Sequence, residues 1–99
     1  MATVMDKPQV EDQLKDLKGW SYDEEQTSIK KKFEFGSFKE AMGFLVRVAF
    51  EAEAMDHHPH IGNVYNQVTI RLNTHDAGDK VTEKDITLAK EIERIDWSS

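Results

Sequence analysis

The stretch EAEAMDHHPHIGNVYNQVTIRLNTH, residues 51–75, decides the architecture because its hydrophobic period changes part-way along. Its first residues complete a run with helical spacing, whereas residues 68–72 alternate apolar and polar side chains, which is typical of a half-buried strand. Pro59 disfavours the helical conformation in the residue before it, so we expect the helix to end near residues 56–58. The stretch therefore predicts a helix followed by an antiparallel hairpin that reverses near Asn66.

The chain before this stretch predicts a short helix, a hairpin and the start of the long helix. Pro8 ends a lead-in, and apolar residues at helical spacing predict a short helix over residues 9–17. Residues 19–35 alternate on either side of a polar turn, which predicts the first hairpin. Ser37 with Glu40 three residues later matches a capping box that opens the long helix. The predicted apolar stripe of that helix comprises Phe38, Met42, Leu45, Val46, Ala49 and Ala52, broadened by Phe44, Val48 and Met55.

The chain after this stretch predicts a polar loop over residues 76–80 and a final helix. Thr82 with Asp85 three residues later is an N-cap signature, and residues 97–99 are expected to be a tail. The predicted apolar face of the final helix comprises Ile86, Leu88, Ala89, Ile92 and Ile95. The order helix, two strands, helix, two strands, helix predicts an α+β fold, a four-stranded antiparallel sheet with three helices packed on one face. Residues 1–99 are expected to form a single domain.

The composition argues against several classes of function. Thirteen basic against nineteen acidic residues give a net charge of −6, which argues against direct binding of nucleic acid. The absence of cysteine excludes disulfides, thiolate catalysis and zinc–sulfur sites. No apolar run approaches the ~20 residues of a membrane span, and the N-terminus lacks the apolar core of a signal peptide. We therefore expect a cytoplasmic protein that does not associate with membranes.

All four histidines of the chain lie within residues 51–75, and three of them crowd against Pro59. The four are His57, His58, His60 and His75. Histidine is the side chain whose charge changes near neutral pH, so such clustering indicates acid/base catalysis or metal binding. The alternative is a chance grouping of surface histidines.

Glu53 and His57 lie four residues apart, so on one helix they would share a face and touch. A neighbouring carboxylate and the negative end of the helix dipole both favour an imidazolium, which would make His57 a general acid. An ordinary pair on a helix surface is the alternative interpretation. Because Pro59 turns the chain, His58 is expected either to line an adjacent wall of the same pocket or to face solvent.

His75 follows the second strand of the hairpin, at the start of the polar loop, and is expected to approach His57 across a cleft. Asp85 could add a polar wall or could simply cap the final helix. A metal site is the rival interpretation, in which His58 and His60 would bind zinc or iron together with His75 and a carboxylate. The proline between these two histidines disfavours a regular strand there, which argues against that site.

Taken together, these residues resemble the signature of the pterin-4a-carbinolamine dehydratase family. The pattern is Glu53-x-x-x-His57-His58-Pro59, followed at fixed gaps by Tyr65, His75 and Asp85. The flanking segments are similar too, namely Gly19-Trp20, Phe38-x-x-Ala41-x-Gly43-Phe44, Asn63-Val64-Tyr65-Asn66, Thr74-His75 and Asp85-Ile86-x-Leu88-Ala89. The resemblance covers residues 20–95, and the chain departs from the family pattern at His60, at Ile61 and in a longer loop after His75.

The resemblance implies the activity of a 4a-hydroxytetrahydrobiopterin dehydratase. Such enzymes convert the 4a-hydroxytetrahydropterin left by aromatic amino acid hydroxylases into quinonoid dihydropterin and water, without a metal or redox cofactor. By the family pattern, His57 and His75 would be the acid/base pair and His58 would chiefly hold the pterin. Glu53 would orient His57. The implied substrate-binding residues are Glu53, Asp56, His58, Thr74, Asp85 and Trp20, of which Trp20 could instead be a core aromatic.

The resemblance also implies self-association and a second class of function. Members of the family form homodimers or homotetramers through helix packing, and the animal protein also serves as a dimerisation cofactor for a transcription factor. A protein-binding module or transcriptional coactivator is therefore the alternative function. Under that alternative, the apolar residues of the final helix would exceed the needs of a small core and would bind a protein partner.

Overall fold

A computed structural model describes residues 3–95 of the chain. Three helices and four strands follow one another in the predicted order. They are α1 (Lys7–Leu14), β1 (Ser21–Asp23), β2 (Ser28–Glu34), α2 (Phe38–Met55), β3 (His60–Val64), β4 (Gln67–Leu72) and α3 (Glu83–Glu93), with one 3₁₀ turn at His75–Ala77. Within the described residues, no helix is both long enough and apolar enough to cross a membrane.

The four strands form one antiparallel sheet in the order β1-β2-β4-β3. Phe33 of β2 lies opposite Val68 of β4, and both side chains are buried, as the alternating pattern predicts. Buried apolar residues of the helices and of this sheet face form one hydrophobic core. The predicted α+β fold, with an antiparallel sheet covered by three helices, is therefore confirmed.

The hairpin of β3 and β4 reverses through a two-residue turn at Tyr65 and Asn66, since Val64 pairs with Gln67. Tyr65 adopts a left-handed backbone conformation with φ of 51°. The side-chain amide of Asn66 donates a hydrogen bond to the Phe35 carbonyl at 2.8 Å, which ties the turn to the end of β2. The reversal predicted near Asn66 is confirmed.

The first helix, α1, begins earlier than predicted because Asp6 caps it. The Asp6 carboxylate accepts a hydrogen bond from the Gln9 backbone N–H at 2.9 Å, and the Gln9 side chain accepts one from the Asp6 N–H at 2.8 Å. Pro8 lies in the first turn, where no intrahelical partner exists for an N–H. The predicted lead-in up to Pro8 and the predicted helix over residues 9–17 are therefore wrong at both ends.

The long helix, α2, begins and ends where the sequence predicts. The Ser37 hydroxyl accepts a hydrogen bond from the Glu40 backbone N–H at 3.1 Å, which caps the first turn. Only this half of the predicted capping box forms, since the Glu40 side chain is not bonded to the Ser37 N–H. The helix ends at Met55, and Asp56 then adopts a left-handed conformation with φ of 50°. This reversal at Asp56, ahead of Pro59, sends the following histidines away from the helix axis.

The face of α2 that packs on the sheet differs from the predicted stripe. The buried positions are Ala41, Phe44, Val48 and Ala52. By contrast, Phe38, Val46 and Phe50 expose 48%, 56% and 71% of their surface. Apolar residues occupy most of the circumference of α2, so their spacing alone could not show which face meets the sheet.

The last helix, α3, buries the apolar face that the sequence predicts. Its N-cap is Thr82, and its residues Ile86, Leu88, Ala89 and Ile92 are all buried in the core. The expectation that this helix carries surplus apolar surface for a protein partner is therefore wrong. The tail predicted at residues 97–99 lies outside the described residues.

The turn between β1 and β2 is tied to the loop that follows His75. The Gln26 backbone N–H donates to Asp23 at 3.1 Å and, together with the Lys30 ammonium at 3.3 Å, lowers the pKa of the Asp23 carboxyl below its usual value. The Thr27 hydroxyl then donates to the Asp79 carbonyl at 2.6 Å. The first hairpin therefore supports the loop that carries His75.

Candidate active site

The end of α2, the end of β4 and the start of α3 meet around a cavity of about 420 Å³. This volume lies within the range typical of small-molecule sites, toward its lower end. The lining is polar and consists of Asp56, His57, His58, His60, Asn73, Thr74, His75, Asp76, Asp79 and Lys84. All four histidines of the chain therefore line one cavity.

His57 enters the wall of this cavity because α2 stops just before it. Its backbone N–H donates to the Ala52 carbonyl at 3.0 Å, which completes the end of the helix. The imidazole is buried, and its Nε2 lies 2.5 Å from Oδ1 of Asp85. Such a short separation is typical of a hydrogen bond in which one partner is charged.

The other ring nitrogen of His57 remains available for a ligand. Among residues 3–95, only the Ser28 hydroxyl is a buried side-chain oxygen or nitrogen without a hydrogen-bond partner. Nδ1 of His57 also makes no hydrogen bond within those residues, so this atom must be reachable by solvent. His57 itself lines the cavity.

Asp85 is the centre of the hydrogen bonds behind His57. Its Oδ2 accepts from the Thr82 backbone N–H and from the Thr74 hydroxyl, each at 2.9 Å. Asp85 thus caps α3, as one of the two sequence interpretations predicts, and holds the histidine at the same time. It does not form a polar wall of the cavity, which was the other interpretation. The carboxylate is fully buried and does not itself line the cavity.

Glu53 contacts a different histidine from the one that helical spacing predicts. Its Oε1 lies 3.0 Å from Nε2 of His58, and both side chains are exposed. The predicted pairing of Glu53 with His57 is wrong because the left-handed residue Asp56 takes His57 off the helical path. Glu53 therefore lies beside the cavity, next to its exposed rim.

His75 lies on the 3₁₀ turn that follows β4, whereas His57 follows the end of α2. The side chain of His75 is exposed. Its Nδ1 lies 3.1 Å from Oδ1 of Asp79. The loop is closed at its base, where the Thr74 N–H donates to the Lys80 carbonyl at 2.7 Å. The structure thus brings His57 and His75 to the same cavity, each with its own carboxylate partner.

Five lining residues were not among the predicted catalytic and substrate-binding residues: His60, which the sequence offered only for the rival metal site, and Asn73, Asp76, Asp79 and Lys84. Asn73 and Asp76 flank the predicted pair Thr74-His75, so adjacency in the sequence was an available signal. Lys84 directly precedes Asp85 at the start of α3. Asp79 lies four residues after His75, a spacing that indicates contact only once a helical turn is known to lie between them.

Trp20 does not line the cavity. Its indole is buried against Phe33, with ring centroids 6.2 Å apart in an edge-to-face arrangement. Its Nε1–H donates to Glu93 at 2.9 Å. The alternative interpretation of Trp20 as a core aromatic therefore describes its position, and a place beside the substrate is not supported by these contacts.

The donor set required for the rival metal site is not assembled. Within residues 3–95, no group of three histidine or carboxylate side chains is arranged to hold a metal ion. His58 turns to Glu53 and His75 turns to Asp79, so the histidines do not converge on one point.

A second concavity, of about 520 Å³, adjoins the first and shares His58 with it. Its lining is mostly apolar and consists of Val46, Ala49, Phe50, Ala52, Glu53, His58, Pro59 and Ile61. We call this surface the apolar groove. It joins the exposed face of α2 to the edge strand β3.

The family model described as "Pterin 4 alpha carbinolamine dehydratase" matches residues 3–95, all of the described chain. This chain belongs to the pterin-4a-carbinolamine dehydratase family. A relative from Opitutus terrae that carries the family name is 52% identical over 97 residues, which is 98% of each chain. Another from Rhodospirillum rubrum is 45% identical over 95 residues, which is 96% of this chain and 98% of the relative.

Solved structures of this dehydratase family share the fold. A crystal structure from Brucella melitensis, described as a transcriptional coactivator/pterin dehydratase, superposes with a TM-score of 0.86 and 34% identity, covering 92% of this chain and 96% of that one. A pterin dehydratase-like protein described as a RuBisCO assembly factor of the alpha-carboxysome superposes with a TM-score of 0.63 and 25% identity. It covers 76% of this chain and 86% of that one.

Proposed function

We propose that this protein dehydrates a 4a-hydroxytetrahydropterin to a quinonoid dihydropterin, and so recycles the pterin cofactor of aromatic amino acid hydroxylases. The observation that carries the proposal is the buried contact of 2.5 Å between His57 and Asp85 at a cavity that His75 also lines. Membership of a dehydratase family supports the proposal.

The reaction needs two proton transfers, and the two histidines supply both. One histidine donates a proton to the hydroxyl on C4a, the carbon–oxygen bond breaks, and water leaves. The other accepts the proton of a ring nitrogen, whose electron pair then forms the new double bond to carbon. Positioned groups of this kind each contribute about 10²–10⁴-fold in rate. Nδ1 of His57 and Nε2 of His75 are the atoms left free for these transfers.

The remaining polar groups of the cavity would hold the pterin. His58, which Glu53 orients at 3.0 Å, lies between the cavity and the apolar groove and would contact one side of the ring system. The Asp56 carboxylate would accept hydrogen bonds from the donors of the pterin edge, and Thr74 would line the site beside it. Asp85 would act from behind His57, without touching substrate.

A dehydration assay on chelator-treated protein tests the proposal. We expect the protein to accelerate the decay of 4a-hydroxytetrahydropterin with a chelator present, and to do so without any added metal. A requirement for an added metal ion would favour the rival site instead. A protein with an intact fold and no effect on the decay would contradict the dehydratase function.

We also propose that a second copy of this chain covers the apolar groove. Phe50 and Val46 are more than half exposed, and Ile61 lies beside them on an edge strand whose free backbone groups can pair with another strand. The resemblance to a family of dimers and tetramers agrees with this occupant. A protein-binding role as a coactivator would use the same surface, rather than α3.

Light scattering coupled to size-exclusion chromatography tests the self-association. We expect a dimer or larger for the wild-type chain and a monomer for Phe50→Asp. Thr87→Asp, at an exposed position of α3, is the matched control and should keep the wild-type mass. A wild-type monomer at high protein concentration would contradict this proposal and would leave the groove available to a different protein.

A further inference from the structure

A continuous run of hydrogen bonds leads from the start of α3 to His57. The backbone N–H of Lys84 donates to the Thr82 hydroxyl oxygen at 3.2 Å. The hydroxyl oxygens of Thr82 and Thr74 lie 2.6 Å apart, and both are buried. The Thr74 hydroxyl lies 2.9 Å from Oδ2 of Asp85, whose Oδ1 contacts His57.

The direction of each proton in this run follows from counting donors. An ionised carboxylate only accepts, so the single proton of the Thr74 hydroxyl points to Asp85. Thr74 therefore accepts at the other contact, and the proton of Thr82 points to Thr74. Thr82 in turn accepts from a backbone N–H, which cannot reverse. The Asp85 carboxylate thus sets the orientation of both hydroxyls, and the backbone of α3 holds the Thr82 hydroxyl from the other end.

The hydrogen bonds that Asp85 accepts also determine which nitrogen of the His57 imidazole carries a proton. Asp85 already accepts two hydrogen bonds at Oδ2, from the Thr74 hydroxyl and from the Thr82 backbone N–H. Its Oδ1 can only accept from Nε2 of His57, so that nitrogen carries a proton. A neutral imidazole has one N–H, which leaves a lone pair on Nδ1.

We propose that Thr82 is a positioning residue for the dehydratase reaction, whose buried hydroxyl fixes, through Thr74, the Asp85 carboxylate that holds His57 in the Nε2–H tautomer. This role rests on the proposed function and adds to it a residue that never touches substrate. A hydroxyl in this place stabilises the carboxylate cooperatively with its neighbours, because hydrogen bonds in a chain polarise one another. Capping α3 is its second task.

Nitrogen-15 NMR of the His57 ring, recorded on the high-pH plateau of its nitrogen shifts, tests the role directly. In the wild-type protein we expect a protonated Nε2 and an unprotonated Nδ1. In Thr82→Val, which keeps the shape but removes the hydroxyl, we expect the two nitrogen shifts to move toward each other as the tautomers mix. We expect kcat to fall about fivefold, the rate equivalent of one ordinary hydrogen bond, with KM little changed.

Two further variants separate positioning from capping. Thr82→Ser restores the hydroxyl and should restore both the tautomer and kcat. Ser37→Ala removes the N-cap of α2, far in sequence from this run, and should lower stability while leaving the His57 shifts at their wild-type values. Together with the changed His57 shifts in Thr82→Val, these two results would assign the effect to the Thr82 hydroxyl and not to a general loss of helix capping.

The outcomes distinguish this inference from the proposed function. Wild-type tautomer shifts and wild-type kcat in a folded Thr82→Val would overturn the role of Thr82 and leave the dehydratase activity standing. If Thr82→Val does not fold, the wild-type spectrum decides, since a protonated Nδ1 on neutral His57 would overturn the inference. A wild-type protein with the expected tautomer but no dehydratase activity would overturn the proposed function alone.

Discussion

Two histidine–aspartate pairs flank the cavity, and they differ chiefly in burial. His57 lies 2.5 Å from Asp85, and 8% and 0% of their side chains are exposed. His75 lies 3.1 Å from Asp79, and 92% and 65% of theirs are exposed. An ion pair in water contributes about 0–1 kcal/mol, whereas breaking a buried pair leaves groups whose desolvation is uncompensated. The buried histidine–aspartate pair is therefore expected to contribute more to the free energy of unfolding than the exposed pair.

The difference also separates what each histidine can contribute to a reaction. Asp85 is held by two hydrogen bonds besides that of His57, so the buried ring is oriented before any ligand arrives. The exposed ring of His75 is held by one carboxylate on a short turn and can adjust to a ligand. We therefore expect a substitution of Asp85, behind His57, to lower activity strongly. On the exposed side, we expect a strong loss of activity only when His75 itself is substituted.

The largest effect is expected from removing either histidine. His57→Ala and His75→Ala should each lower kcat by about 10²–10⁴-fold, because each removes one of the two proton-transfer groups. Steady-state dehydration kinetics measure this, with circular dichroism as the control for folding. Full activity in the double substitution would refute the assignment of both residues.

The next largest effect is expected from Asp85→Asn, which tests the buried pair from behind. The amide has one acceptor oxygen where the carboxylate has two, so either His57 or the donors from Thr74 and Thr82 lose their acceptor. We therefore expect kcat to fall about 10²-fold, within the range of one general acid/base group. The free energy of unfolding should fall by about 1–3 kcal/mol, because buried polar groups lose their partners. Urea denaturation measures the stability, and unchanged values of both quantities would show that the buried pair carries no special weight.

A smaller effect is expected at the rim, where Glu53 orients His58. Glu53→Gln weakens an exposed contact of 3.0 Å, so KM should rise about two- to fivefold while kcat stays within about twofold. Glu51→Gln, on the same helix and with the same change of charge, is the matched control. A loss confined to kcat would instead place Glu53 in the chemistry of His57, as the sequence alone predicted.

The smallest effect is expected from Asp79→Asn, the exposed counterpart of Asp85→Asn. Because water screens this pair, the free energy of unfolding should change by less than about 0.5 kcal/mol and kcat by less than about threefold. The small change in kcat should shrink further at high salt, since the pair is exposed. If Asp79→Asn were as damaging as Asp85→Asn, burial would not be what distinguishes the two sides.

Much of the fold could be predicted because local signals agree with the tertiary structure. The Ser37 and Thr82 caps, the turn at Asn66 and the alternation of β2 and β4 all depend on neighbouring residues. The orientation of α2 could not be predicted, because apolar residues occupy most of its circumference. Which of them are buried depends on packing against the rest of the fold. The cap at Asp6 could not be predicted, because a proline such as Pro8 is compatible both with the end of an irregular segment and with the first turn of a helix.

The candidate site was found from the sequence in part, and the reason differs from residue to residue. The histidine cluster, which includes His75, indicated a functional site. The family resemblance then implied roles for His75 and Asp85, which lie on segments distant from His57 in the sequence. The partner of Glu53 was wrong, because the left-handed backbone at Asp56 cannot be read from the spacing of side chains. Contacts such as His57 with Asp85, 28 residues apart, depend on the whole fold.

The most direct test of the central claim is a crystal structure with a stable reduced-pterin analogue bound. We expect the ring to lie in the cavity of His57 and His75, with C4a and its neighbouring nitrogen within about 3–4 Å of Nδ1 of His57 and Nε2 of His75. His58 should contact one side of the ring. A pterin bound elsewhere, or bound in this cavity with neither histidine near C4a, would contradict the account.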